Sequence, residues 1–192
     1  MTDPAYLQRM NDVLAVNYYG EVLTLELLAR LLASPLAARH RTLLTRQLLD
    51  ENRHAHAVRA LLRSRGRDPV VDDRETDFTF HGVFQDFGQG SVEEALACVA
   101  ENERLSSRNF SQILRIADAV DDPQVRSLYR EILADEINHS NALMAVLPDD
   151  PAVIEARRDA RTRMERSMSP RYLALYAAHH PDWLARQQGP GR

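Results

Sequence analysis

Cysteine is all but missing from this chain, with Cys98 alone among 192 residues. One thiol cannot build a disulfide framework, and it cannot supply the several thiolates of a structural zinc or rubredoxin-type iron site. Glycine is scarce at 7 residues, and with 44% hydrophobic and 27% charged residues the composition excludes fibrous and disordered classes. Positive charge is not in excess: 24 Lys and Arg stand against 28 Asp and Glu, a net charge of −4. The electrostatic footprint of a nucleic-acid binder is therefore lacking. No run of about 18 apolar residues occurs, and the opening MTDPAYLQRM has neither a basic segment nor an apolar one. These absences lead us to expect a cytoplasmic protein with no membrane span and no nucleic-acid partner.

Alternating strand-like runs are also nearly absent, and what fills the chain instead is a three-to-four-residue apolar period. Proline punctuates it. A capping residue followed by Pro at the first helical position marks a helix start at Asp3-Pro4, Ser34-Pro35, Asp122-Pro123, Asp150-Pro151 and Ser169-Pro170. Ser91 with Glu94 three residues on forms a capping box for a sixth start. The reading is all-α, with helices over about 4–33, 35–65, 91–120, 123–147 and 151–168 and a short one from about 170. The links near Ser34 and Asp121-Asp122 are tight and predict two antiparallel hairpins. Residues 66–90 make a long connection that we read as a crossover, packed onto the bundle by Phe78, Phe80, Phe84 and Phe87. Residues 1–150 then form a four-helix bundle, and residues 151–192 a helical extension and tail.

Two helices share the pattern D-E-x-x-H-x-x-A: Asp50-Glu51 with His54 and Ala57, and Asp135-Glu136 with His139 and Ala142. Residues three apart lie on one helix face, so a carboxylate and an imidazole can meet one metal ion. By composition, 12 Glu and 7 His in 192 residues give about 0.4 such pairs by chance, so the motif alone is modest evidence. The stripe it interrupts adds weight. Glu136 and His139 fall within Val125, Leu128, Ile132, Leu143 and Val146; Glu51 and His54 fall within Leu44, Leu48, Val58 and Leu62. Buried charges there cost several kcal/mol unless they are paired or bind a cation. The first helix offers Glu21 on the stripe Leu14, Tyr18, Leu25, Leu28, Leu32, in preference to Glu26 on a rim. The third helix offers Glu103 on Leu96, Val99, Phe110, Ile113, in preference to Glu101, which shares its side with Glu94, Arg108 and Gln112. Glu21, Glu51, Glu103 and Glu136 would balance two divalent cations, with His54 and His139 completing the set. The donor types suit iron or manganese and also admit zinc and cobalt.

On these residues, over roughly residues 10–147, the chain resembles the ferritin-like superfamily: bacterioferritins, rubrerythrins, fatty-acyl desaturases, the small subunit of ribonucleotide reductase and bacterial di-iron monooxygenases. Glu21 to Glu51 spans 30 residues and Glu103 to Glu136 spans 33, similar to the ~30–33 between paired ligands in such bundles. The resemblance implies two iron ions, with manganese an alternative, and an enzyme that activates O2 to oxidise a small organic substrate, fed by an external electron donor and working as a homo-oligomer, a homodimer in the simplest case. It also implies that Asp50 and Asp135 orient ligand histidines, where the alternative is a solvent-facing carboxylate. Ser106 and Ser107 resemble a hydroxyl beside an oxygen pocket, or ease helix packing. Tyr18 and Tyr129 either bond ligands, carry an electron or fill core. His56 and His81 read as surface or structural, and the His179-His180 pair and the terminal QQGPGR tail as exposed. Ferroxidase activity is the alternative function; bacterioferritins carry a haem-ligating Met where this chain has Asn52. Rubrerythrin-like peroxide reduction and a non-enzymatic bundle complete the alternatives.

Overall fold

The computed structural model describes residues 3–69, 90–166 and 168–187. Among them the regular elements are all helical: α1 Pro4–Ala33, a 3₁₀ turn Pro35–His40, α2 Arg41–Ser64, α3 Val92–Ala119, α4 Pro123–Val146, α5 Pro151–Arg166, α6 Pro170–His179 and α7 Pro181–Gln187. The prolines open helices as the sequence requires. Asp3, Ser34, Asp122 and Ser169 each accept a hydrogen bond from a backbone amide of the turn they cap, and Ser91 and Glu94 close a reciprocal capping box. The stretch expected as one helix over 35–65 instead begins with the 3₁₀ turn, because the chain must reverse direction at Ser34 before α2 can run back along α1. α7 was not anticipated: Pro181 repeats the initiating signal after His180, and Trp183 is buried.

Helix ends set the hairpin geometry. After α2, Gly66 takes a left-handed φ of 72°, the Arg67 amide donates to Leu62 O at 3.0 Å and the Gly66 amide to Arg63 O at 2.9 Å. That pattern satisfies the last carbonyls and stops the helix. α3 ends the same way with Asp121 at φ 55°, the Asp122 amide donating to Ala117 O at 2.9 Å, so α4 folds straight back. Asp122 caps α4 and accepts from the Tyr6 hydroxyl at 2.9 Å and from Arg65 at 2.8 Å, which ties one end of α1, α2 and α4 together. The crossover expected over 66–90, with its four phenylalanines and His81, lies almost wholly outside the described residues.

α1 pairs with α2 and α3 with α4, the two hairpins meet through α2 and α4, and α1 approaches α3 most loosely. α5 packs on α3, and α6 on α1. Two apolar clusters fill the bundle. One gathers Met10, Leu14, Val58, Ile113, Val125 and Ile132, the other Leu28, Leu44, Leu96, Val99 and Leu143. In each long helix the sequence passes from one cluster to the other, and between them stand Glu21, Glu51 with His54, Glu103, and Glu136 with His139. No described helix is long and apolar enough to cross a membrane.

Candidate metal centre

All six of these side chains are buried, at 7% exposure or less. They fall into two groups that share two members: Glu21, Glu51, His54 and Glu136, and Glu51, Glu103, Glu136 and His139. Within each group the candidate ligand atoms lie within 4.8 Å of one another. Glu51 and Glu136 thus stand between two positions, each with one further glutamate and one histidine. Glu26 is exposed on the far side of α1.

The imidazoles are held from behind by the opposite helix. His54 of α2 meets Asp135 of α4 at 3.1 Å through Nε2, and His139 of α4 meets Asp50 of α2 at 3.2 Å through Nε2. Arg53 bonds both aspartates, at 3.0 and 2.8 Å. Burial works against ionised Asp135, but Arg53 and His54 outweigh it and hold the carboxyl below its usual range. Each Nε2 therefore carries the proton, and each Nδ1 turns a lone pair inward. His54 Nδ1 lies 3.3 Å from Glu136 Oε1, and His139 Nδ1 lies 3.1 Å from Glu51 Oε1, without the alignment of hydrogen bonds.

Four buried atoms of this set have no hydrogen-bond partner: Nδ1 of His54, Nδ1 of His139, Oε2 of Glu103 and Oε1 of Glu136. An unpartnered buried polar atom costs about 1–3 kcal/mol. Four that converge on one spot are what a cation would satisfy. The electrostatics agree. Burial, then the negative charge of neighbouring glutamates, pushes Glu21, Glu103 and Glu136 well above the ordinary carboxylate range. Glu51 moves down despite its burial, because the adjacent imidazoles of His139 and His54 favour its charged form. His139 is pushed up to about 9: burial lowers it, but the adjacent carboxylates of Glu51 and Glu103 prevail. Two divalent cations would relieve this concentration of negative charge.

Gln47, one turn before Glu51, donates to Glu51 at 3.3 Å and to Glu103 at 3.1 Å. The sequence reading passed over it, although it is a polar residue on the buried face between Leu44 and Glu51. Asn17, one turn before Glu21, was also missed; it bonds the hydroxyls of Tyr129 and Tyr172 and joins α4 and α6 to α1. Tyr129 is thus buried core bonded to Asn17, and Tyr18 is half-buried against the apolar cluster. Ser107 donates to Glu103 O within its own helix, whereas Ser106 faces a pocket. His56 bonds its own backbone at Asn52 and takes no part; His179 stacks edge-on against Tyr6, at 5.4 Å between ring centres, rather than standing exposed.

Glu101, set aside in favour of Glu103, has another role: its carboxylate is fully buried and held by Arg104 at 2.7 Å, Arg157 at 3.1 Å and Arg161 at 2.9 Å. It anchors α5, away from the six-residue cluster.

A family model for the ferritin-like domain matches residues 8–152. The chain belongs to the ferritin-like family. That membership accounts for the paired hairpins and for a carboxylate and histidine cluster at mid-bundle that is compatible with a di-iron site. Searches of curated proteins and of solved structures returned no match. Within the ferritin-like fold, the distinguishing features of this chain are therefore its own side chains around the cluster.

The most telling of these line a pocket on the α1–α3 side. It has a cavity volume of about 60 Å³, reaches Glu21 and Glu136, and is walled by Val16, Leu23, Leu105 and Phe110. Met168, Ser169 and Tyr172, from the α5–α6 link and α6, close over it.

Proposed function

We propose that this protein is a non-haem di-iron oxidoreductase that uses O2 to oxidise a small organic substrate. The observation that carries the reading is the largely apolar pocket ending at Glu21 and Glu136. A protein that only oxidises and stores iron needs a polar route for ions and has no use for an apolar chamber beside its metals.

Glu21, His54, Glu103 and His139 would hold the ions singly, with Glu51 and Glu136 shared between them; manganese would suit the same donors. When bound, a pair of ferrous ions supplies two electrons to O2. The chain's own residues do the remaining work. Asp50 and Asp135 fix the imidazole tautomers, Gln47 fixes the carboxylates of Glu51 and Glu103, and the two apolar clusters keep bulk water out. The lid formed by residues 168–172 holds a substrate against the Glu21 and Glu136 side. Insertion of one oxygen atom consumes two electrons and two protons beyond the substrate's own, so an external reductant is the expected partner.

A ferroxidase reading draws on a second feature, a groove of about 500 Å³ between α2 and α4 lined by Asp50, Asp135, Asn138, Asn141 and His139. Anaerobic loading with Fe(II), followed by O2 and then repeated Fe(II) additions, separates the two. Oxygen uptake that stops once the bound iron is oxidised supports the oxygenase reading. Uptake that continues with each addition, with ferric mineral accumulating, would replace it with the ferroxidase.

A further inference from the structure

The pocket's wall contains a glycine that the backbone does not need. Gly20 lies in the middle of α1 at ordinary helical φ, and a Cβ built there meets nothing within 4 Å. A mid-helix glycine costs about 1 kcal/mol relative to alanine. Neither a left-handed turn nor a close helix approach explains it, and what the missing Cβ preserves is open space in the pocket.

The chemistry of that space is selective. The lining has no Lys, Arg or His, and its only charges, Glu21 and Glu136, belong to the metal cluster. An anion would enter without a counter-ion, at a cost of several kcal/mol. The pocket's neutral polar groups are Asn102, Ser106 and Asn109 on one face of α3, together with Thr24, Ser169 and the Asn17–Tyr172 pair. Thr24 already donates to Gly20 O at 3.1 Å, and Tyr172 is bonded to Asn17. Asn109 differs: it is 7% exposed and its Oδ1 has no hydrogen-bond partner. The cavity volume of about 60 Å³ is well below the roughly 150 Å³ that holds a benzene molecule in an apolar protein cavity.

From these features we infer that the pocket selects a small, uncharged, alcohol-like substrate, an apolar body of few carbons carrying one hydroxyl, and rejects carboxylates of the same shape. A hydroxyl both donates and accepts, so it meets the Asn109 amide in either orientation. This inference rests on the oxygenase reading for the fate of the substrate, but the selectivity itself can be measured without turnover.

The test is titration of ethanol and of acetate into the protein loaded with redox-inert zinc, and into the metal-free protein, followed by amide chemical shifts, with zinc counted separately. The expected result is saturable ethanol binding that shifts Gly20, Leu105 and Phe110, with acetate at least about tenfold weaker. Gly20→Leu should remove ethanol binding while two zinc ions per chain are retained, because its side chain enters empty space. Asn109→Leu should weaken ethanol by about three- to tenfold. Equal binding of acetate, no saturable binding of either probe, or ethanol binding untouched by Gly20→Leu would each overturn the inference. Failure of the metal reading shows separately, as wild-type protein that binds no zinc, and the metal-free titration still reports on the pocket.

Discussion

The histidines at the centre owe their orientation to aspartates on the opposite helix: Asp135 behind His54 and Asp50 behind His139. Replacing either aspartate by Asn leaves shape intact but removes the acceptor charge that fixes the imidazole tautomer. Asp50→Asn and Asp135→Asn should each weaken metal binding about 10–100-fold with little change in fold, checked by competition against a chelator. At this scale the sequence was informative wherever a charge interrupted an apolar stripe. Glu21, Glu51, Glu103, Glu136 and both histidines stood out that way, and the structure brings all six together. Neutral polar residues on the same faces, Gln47 and Asn17, carry no comparable penalty and passed unnoticed. The crossed pairing of Asp50 and Asp135 depends on the register of α2 against α4, which no local pattern encodes.

Among the elements, α5 shows how a charge can be structural. Glu101 sits fully buried on α3 while Arg104, Arg157 and Arg161, each a third or more exposed, reach in from the rim. Glu101→Gln should therefore cost about 1–3 kcal/mol, less than a wholly buried pair, since the freed arginines regain water. Hydrogen exchange should locate the loosening in α5, and the metal count should not change. Glu103→Gln should do the reverse, lowering the metal count with little loss of stability in the metal-free protein. The sequence set Glu101 apart on the side of α3 shared with Glu94, Arg108 and Gln112 but gave no partner for it. A fifth helix packed on the outside of α3 supplies that partner. The helix starts were legible because Pro and its capping residues act locally; the 3₁₀ turn before α2 and the short α7 were not, since each depends on how the chain packs.

For the whole molecule, the metal-free cluster at mid-bundle gathers four buried carboxylates and two imidazoles, and four of their atoms lack hydrogen-bond partners. Metal binding and stability must then be linked. A metal at about 100 times its dissociation constant contributes roughly 2.7 kcal/mol per site. For a chain of this length two sites should raise the melting temperature by roughly 10–20 °C, reversed by chelation. The same architecture leaves α1 and α3 apart, and the α5–α6 link covers the gap. A pocket thus exists where the bundle is loosest, one reason it could not be read from four separate stripes. The central claim is that the six buried residues form one two-metal centre, and anaerobic Fe(II) titration with bound iron counted per chain tests it most directly. The account predicts saturation at two irons, abolished by Glu136→Ala because that carboxylate serves both positions. Wild-type protein that binds no iron, or a Glu136→Ala variant that still binds two, would contradict it.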